Sequence, residues 1–247
     1  MPQIITGCGP IPTSRKQYFE TFGALELSES WHEPLGTRAL RQWREQAGPE
    51  FVFVLHAWRW LTLDPLDERT APPNDLARDQ VGLLQPSDAN RGLWAEVDRQ
   101  ARDIGAQFVL LRTPPTFSPS DHNRANLRRF LEEIVGDDVP YQIAWEPRGL
   151  WEPEDALDVA EEHGLVLARD PWADFEMPEP LGGDVIYTLT APRGRRTFDN
   201  DDYEELLDFV DEHDDEDTRV VLLFRGPERE RNAQRLLTAQ RQRGDNG

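Results

Sequence analysis

Lysine is nearly absent from this chain of 247 residues: Lys16 is the only one, and every other basic residue except histidine is arginine. Cysteine occurs once, as Cys8, which excludes an internal disulfide framework and a cysteine-rich zinc site. The five histidines show neither His-x-His nor His-x-x-x-His spacing, so no dedicated transition-metal site is expected. No Walker A loop occurs, and Gly7-Cys8-Gly9-Pro10 is too short for a dinucleotide fingerprint, so no cofactor is expected either. No apolar run approaches the ~20 residues a membrane helix needs. Nothing like a charged-then-apolar leader precedes Ile4-Ile5-Thr6. A cytoplasmic protein without a membrane partner is the expectation.

What is abundant is negative charge and aromatic surface. The formal net charge is −20, and eight Trp with eleven Phe within a 38% hydrophobic fraction suffice for a sizeable core. Acidity combined with scarce lysine resembles the composition of salt-loving archaeal proteins, in which a carboxylate-rich surface works in concentrated salt. On that halophilic reading the bulk charge reports the solvent and says little about the substrate. Such acidity repels polyphosphate over most of the surface, although molar salt screens charge within a few ångströms. A nucleic-acid partner is therefore open but not favoured, and the oligomeric state is not legible.

Apolar runs alternate with one-sided helical patterns along the whole chain. The candidate strands are Ile4–Thr6, Ala24–Leu27, Phe51–Leu55, Phe108–Leu111, Tyr141–Trp145, Leu165–Ala168, Val185–Leu189 and Val220–Phe224. Most are near-continuous apolar runs, as expected for parallel strands covered on both faces. Leu127, Phe130, Leu131 and Ile134 fall at helical spacing, as do Tyr203, Leu206, Leu207 and Val210. Eight strands in this alternation predict a single α/β domain over residues 1–247, a (β/α)8 TIM-type barrel. Residues 58–90 read as a long loop insertion after strand three. Pro171, Pro178 and Pro180 make the helix between strands six and seven irregular or missing. The acidic run Asp199–Asp217 reads as the solvated face of the helix after strand seven.

The chemistry gathers where the strands end, and that is where α/β barrels place their ligand sites. Strand five stops at Glu146-Pro147-Arg148-Gly149-Leu150-Trp151, where Pro147 cannot donate to a ladder and Gly149 permits a tight turn. Glu26, Trp31 and His32 lie at or beyond the end of strand two, and His56, Trp58 and Arg59 follow strand three. Arg112 follows strand four, Asp170 and Trp172 strand six, Arg193 strand seven and Arg225 strand eight. Glu146 and Arg148 fit a structural ion pair. They equally fit a general acid, base or nucleophile beside an anion-binding guanidinium, with Glu26 as the second carboxylate. Asp170 fits either a turn cap or a catalytic role, His56 a hydrogen-bonded structural histidine or a site residue, and the tryptophans a barrel plug or aromatic walls. Arg112 and Arg59 are the best anion-binding candidates because guanidinium offers two-pronged geometry. Cys8 fits a small buried residue better than a nucleophile.

Taken in order, these segments resemble the DUF72 (YecE-like) family, TIM-type barrels with no established activity. The resemblance runs over nearly the whole chain. Leu25-Glu26-Leu27-Ser28-Glu29-Ser30-Trp31-His32 keeps the Glu and an aromatic of the family's second strand. His56-Ala57-Trp58-Arg59-Trp60-Leu61-Thr62 keeps the Arg and Thr of the third but lacks its Lys, Pro and His. Leu111-Arg112-Thr113-Pro114-Pro115-Thr116-Phe117 matches the fourth with Arg in place of Gln. Glu146, Arg148 and Trp151 keep the Glu, Arg and Trp of the fifth. Asp170 and Tyr187 match later family positions, whereas Leu189 and Ala191 stand where its Arg and His belong.

These observations lead to an expected enzyme, a metal-independent hydrolase of a glycosidic or phosphoester bond, acting on a small polar or anionic substrate at the C-terminal mouth of the barrel. Its expected catalytic residues are Glu146, Glu26 and Asp170. Arg148, Arg112, Arg59, His56, Trp31, Trp151 and Tyr187 are the expected substrate contacts. The alternative is a non-catalytic binding protein for a phosphate-containing ligand, a nucleic-acid end or a protein partner.

Overall fold

Each apolar run becomes a strand, and the eight strands pair in chain order until the last meets the first. The computed structural model describes residues 2–10, 14–66, 71–172, 183–192, 194–213 and 218–246. The strands are β1 (Gln3–Cys8), β2 (Ala24–Leu27), β3 (Val52–His56), β4 (Phe108–Arg112), β5 (Gln142–Glu146), β6 (Val166–Arg169), β7 (Val185–Leu189) and β8 (Arg219–Phe224). All neighbours are parallel, and β8 closes on β1 with Gln3 opposite Arg219 and Cys8 opposite Phe224. This is the closed (β/α)8 barrel. Outside it lie α1 (Arg15–Thr21), α2 (Thr37–Ala47), α3 (Asp88–Ile104), α4 (Asp121–Phe130), α5 (Pro153–Glu162), α6 (Asn200–Asp211) and α7 (Arg229–Asn246). The expected irregular helix between β6 and β7 falls on residues 173–182, which lie outside the described residues.

Side-chain alternation along the strands divides the core into two layers. Ala24, Val54, Leu110, Ala144, Ala168, Ile186 and Leu223 fill the barrel interior. Leu25, Phe53, Val109, Trp145, Leu167, Tyr187 and Leu222 face outward into the layer between barrel and helices. The inward set runs on at the C-terminal end into Glu26, His56, Arg112, Glu146, Thr188 and Arg225, because each is an even number of residues from an inward neighbour.

The described residues of segment 58–90 are more ordered than a free insertion, the last of them being the first turn of α3. Short 3-10 turns at Arg59–Leu61, Pro73–Asp75 and Arg78–Gln80 punctuate it. Leu61, Leu63, Val81 and Leu84 are buried. Asn90 Nδ2 donates to the carbonyls of Gln85 (2.9 Å) and Gly82 (3.3 Å), and Asn90 Oδ1 accepts from the Gly82 amide. Ser87 Oγ accepts from the Asn90 amide and caps α3.

The acidic α6 behaves as a solvated helix. Tyr203, Leu206, Leu207 and Val210 are buried, while Asp201, Glu204, Glu205 and Asp208 are exposed. Asp199 and Asp202 form a reciprocal capping box at its start. Residues 214–217 lie outside the described residues.

The end of β1 is wedged against β2. A Cβ on Gly9 would lie 2.5 Å from the Glu26 carbonyl oxygen and 2.9 Å from Glu26 Cβ. The Tyr18 hydroxyl accepts from the Cys8 amide (2.8 Å) and lies within donating distance of the Ala24 carbonyl (2.8 Å). Burial pushes the Cys8 thiol up to about 11, against the opposing effect of the Tyr18 hydrogen bond, so it is no thiolate at neutral pH. Gly9→Ala is expected to destabilise the protein by about 1–3 kcal/mol through overpacking. Urea unfolding measures this, and a variant as stable as the parent would mean that the end of β1 gives way freely.

Candidate active site

Five inward side chains at the strand ends meet in one network. Arg225 follows β8, and its guanidinium lies between two carboxylates. Its Nε donates to both oxygens of Glu26 at 3.1 Å, and its Nη2 reaches Glu26 Oε1 as well. Its Nη1 donates to Glu146 Oε1 at 3.0 Å and its Nη2 to Glu146 Oε2 at 2.8 Å. The ladder sets Arg112 opposite Glu146, and Arg112 Nε stands 3.3 Å from Glu146 Oε1. Beneath them His56 Nε2 donates to Glu26 Oε1 at 2.7 Å, and both residues are buried.

The electrostatics follow from this geometry. Burial alone would raise both carboxyl groups. The charge and hydrogen bonds of Arg225, with His56 beside Glu26 and Arg112 beside Glu146, instead hold each below the usual carboxylate range. Arg225 is itself held firmly protonated: burial opposes its charge, and the two glutamates outweigh burial. Arg112 is lowered chiefly by burial; the Glu146 carboxylate opposes this, and the neighbouring guanidinium charges of Arg225 and Arg148 add to the lowering. Two buried carboxylates are therefore balanced by two guanidinium groups.

Because the folded values of Glu26 and Glu146 lie below their unfolded ones, their contribution is fully present above the unfolded carboxylate value. It is lost as pH falls through the folded values. Urea midpoints are expected to fall as pH drops below about 4, and Glu26→Gln is expected to flatten that fall. An acid profile unchanged by Glu26→Gln would contradict a depressed Glu26.

Above the network lie two cavities that share Arg112 and Arg148. The first, of about 350 Å3, is lined by Glu146, Asp170, Thr188, Thr190 and Trp151 together with Arg112, Arg148, Arg169 and Arg225. Four guanidinium groups thus face two carboxylates, in a chain whose overall charge is −20. The second, of about 400 Å3, is bounded by Trp31, Leu63, Pro114 and Pro115.

Glu26, Glu146, His56 and Arg112 come together, but the expected pairing of Glu146 with Arg148 does not form. Glu146 is held by Arg225 and Arg112, whereas Arg148 is exposed and has no ion-pair partner among the described residues. The turn that carries Arg148 is fixed by Gly149, at φ 92°, where a Cβ would meet the Pro115 carbonyl oxygen at 2.6 Å. Asp170 borders the first cavity, and its Oδ1 accepts from the Trp172 amide at 3.1 Å, so it serves at least as a turn cap. Trp151 walls the same cavity, edge-on to Trp145 at 4.9 Å, and donates to the Phe117 carbonyl. Trp31 walls the second cavity.

Three expected contacts and one expected catalytic residue are corrected: His56 and Glu26 are buried within the network and border neither cavity. Tyr187 points out of the barrel, is fully buried, and pairs its hydroxyl with His213 Nε2 at 2.8 Å, so it borders neither cavity. Its neighbours Thr188 and Thr190 point inward instead. Arg59 lies over the rings of Trp31 (5.8 Å) and Trp60 (5.4 Å) and also borders neither cavity. Arg193 lies outside the described residues. Arg225, the keystone of the network, was legible only as one more residue beyond a strand. Its even spacing from Val221 and Leu223 turns it inward, a signal that can be read only once the inward face of β8 is known.

The fold and the mouth define a TIM-type barrel with a carboxylate–guanidinium network at the C-terminal ends of its strands. The family model described as protein of unknown function DUF72 matches residues 11–245, and the chain belongs to that family. Among solved structures it is similar to a DUF72 family protein of Enterococcus faecalis V583, with 12% identity over 98% of both chains and a TM-score of 0.69. A DUF72 family protein of Thermotoga maritima MSB8 is similar at 13% identity over 97% of this chain and 99% of that one, with a TM-score of 0.68. A D-tagatose 3-epimerase-like protein follows the same fold at 16% identity over 97% of this chain and 96% of that one, with a TM-score of 0.58. No curated protein matches the sequence. Among the described residues no helix is long and apolar enough to cross a membrane.

Proposed function

We propose that this barrel is an enzyme acting on a small anionic substrate at its C-terminal mouth, with phosphoester hydrolysis as the reaction class. The observation that carries this is the shared border of the two cavities, where Arg112 and Arg148 offer guanidinium groups and Arg148 has no ion-pair partner among the described residues. Guanidinium groups suit the charge that develops on a phosphoryl group in transfer. Glycoside hydrolysis, the other expected class, fits less well. It needs a protonated carboxylic acid to donate to the leaving oxygen, and Glu26 and Glu146 are both held ionised. Glu146 in this reading is an ionised electrostatic group that fixes Arg112 and Arg225. Asp170 is the second carboxylate of the cavity.

The same electrostatics favour a second reading, binding without turnover, because a carboxylate held this low is a weak base. The two are separated by measuring methylphosphonate binding by calorimetry and turnover of p-nitrophenyl phosphate and bis(p-nitrophenyl) phosphate by absorbance. Saturable turnover that methylphosphonate inhibits is the expected result. Binding without turnover selects the second reading, and absence of both overturns the anion site itself.

A further inference from the structure

We infer that the substrate is a two-part molecule, an anionic group joined to a flat apolar ring, with the ring held in the second cavity. The inference rests on the proposed anion site between Arg112 and Arg148. Both arginines border both cavities, so a ligand anchored there has room on either side. The two sides differ in chemistry. The first offers Glu146, Asp170, Thr188 and Thr190, which are hydrogen-bonding groups for a polar portion. The second offers the Trp31 indole, Leu63 and the consecutive rings of Pro114 and Pro115, with Thr62, Thr113 and Thr116 as its neutral polar groups.

Flat indole and pyrrolidine surfaces suit a planar ring, which stacks with offset and buries a large area on few rotatable bonds. Two neighbours pack against Trp31. The Arg59 guanidinium lies over its ring at 5.8 Å, and His32 meets it edge-on at 4.8 Å. The carboxylate on this side, Asp64, accepts from the Leu66 amide at 2.9 Å and disfavours a second anion there. The second cavity thus takes the uncharged end, and its volume of about 400 Å3 accommodates an aromatic group.

Phosphonates that cannot be hydrolysed test this with the full chain, using calorimetry or tryptophan fluorescence. Affinity is expected to rise from methylphosphonate to phenylphosphonate to 2-naphthylphosphonate, by at least tenfold over the series. Trp31→Ala is expected to bring that ratio close to one, and Trp31→Phe to restore most of it. Equal affinity for all three probes overturns the ring subsite while leaving the anion site standing. No binding of any phosphonate overturns the anion site and this inference with it. Neutral 2-naphthol binding as tightly as 2-naphthylphosphonate also overturns the two-part ligand. The probe series on the unaltered chain decides the matter even if Trp31→Ala fails to fold.

Discussion

Arg225→Met is expected to destabilise the protein by at least about 3–5 kcal/mol, the scale on which an uncompensated buried charge is left behind. That is a large part of the ~5–15 kcal/mol that holds an ordinary domain together. The reason is that Arg225 serves two carboxylates at once, with five hydrogen-bond contacts. Without it, among the described residues Glu26 keeps only His56, and Glu146 keeps only Arg112 at 3.3 Å. Lysine replaces it only in part, since an ammonium has three donors and no planar fork, against the five contacts made here.

The sign of the pH dependence makes the test specific. In the parent the two carboxyl values are depressed, so acid removes stability. In Arg225→Met, burial is left to dominate and both values are expected to rise above their unfolded ones. Their ionisation then opposes folding, and the variant should gain stability as pH falls from 7 to 5. Urea unfolding at both pH values measures this, and adding Glu26→Gln and Glu146→Gln to the variant should recover much of the loss. A variant that loses less than about 1 kcal/mol, or shows the parent's pH slope, would mean that Arg225 behaves as an exposed ion pair.

The eight strands were legible because each is an apolar run bounded by breakers, and their order dictated the barrel. The C-terminal limits of β3, β4 and β5 each fall one residue short of the observed ones for a physical reason. His56, Arg112 and Glu146 interrupt an apolar run yet remain in the hydrogen-bonded ladder. Inward and outward faces were not legible, since both faces of a barrel strand are apolar. Tyr187 could be assigned to the mouth for that reason, although Thr188 is the residue that turns inward. The pairing of Glu146 was misjudged because Arg148 lies two residues away in the chain. The guanidinium that reaches it is 79 residues distant, and the same group spans 199 residues to Glu26. No local pattern encodes such a contact. Only closure of β8 on β1 brings Arg225 beside Glu26.

Arg148→Glu is expected to weaken phosphonate binding by about 100-fold or more while leaving the fold intact. A charge-assisted hydrogen bond contributes about 1.5–3 kcal/mol, and ~2.7 kcal/mol corresponds to two powers of ten in affinity. The reversed charge adds repulsion at the border of both cavities. The structural cost is small because Arg148 is exposed and holds no carboxylate among the described residues, and such surface changes usually stay within about 0.5 kcal/mol. Arg112 offers no such separation of binding from folding, since it stands beside Glu146 in the network. Calorimetric titration with 2-naphthylphosphonate, read beside urea unfolding of the same preparation, measures both quantities. Loss of affinity at unchanged stability places the anion at Arg148. Undiminished affinity would place it deeper, among Arg169 and Arg225, and would separate the anion from the second cavity.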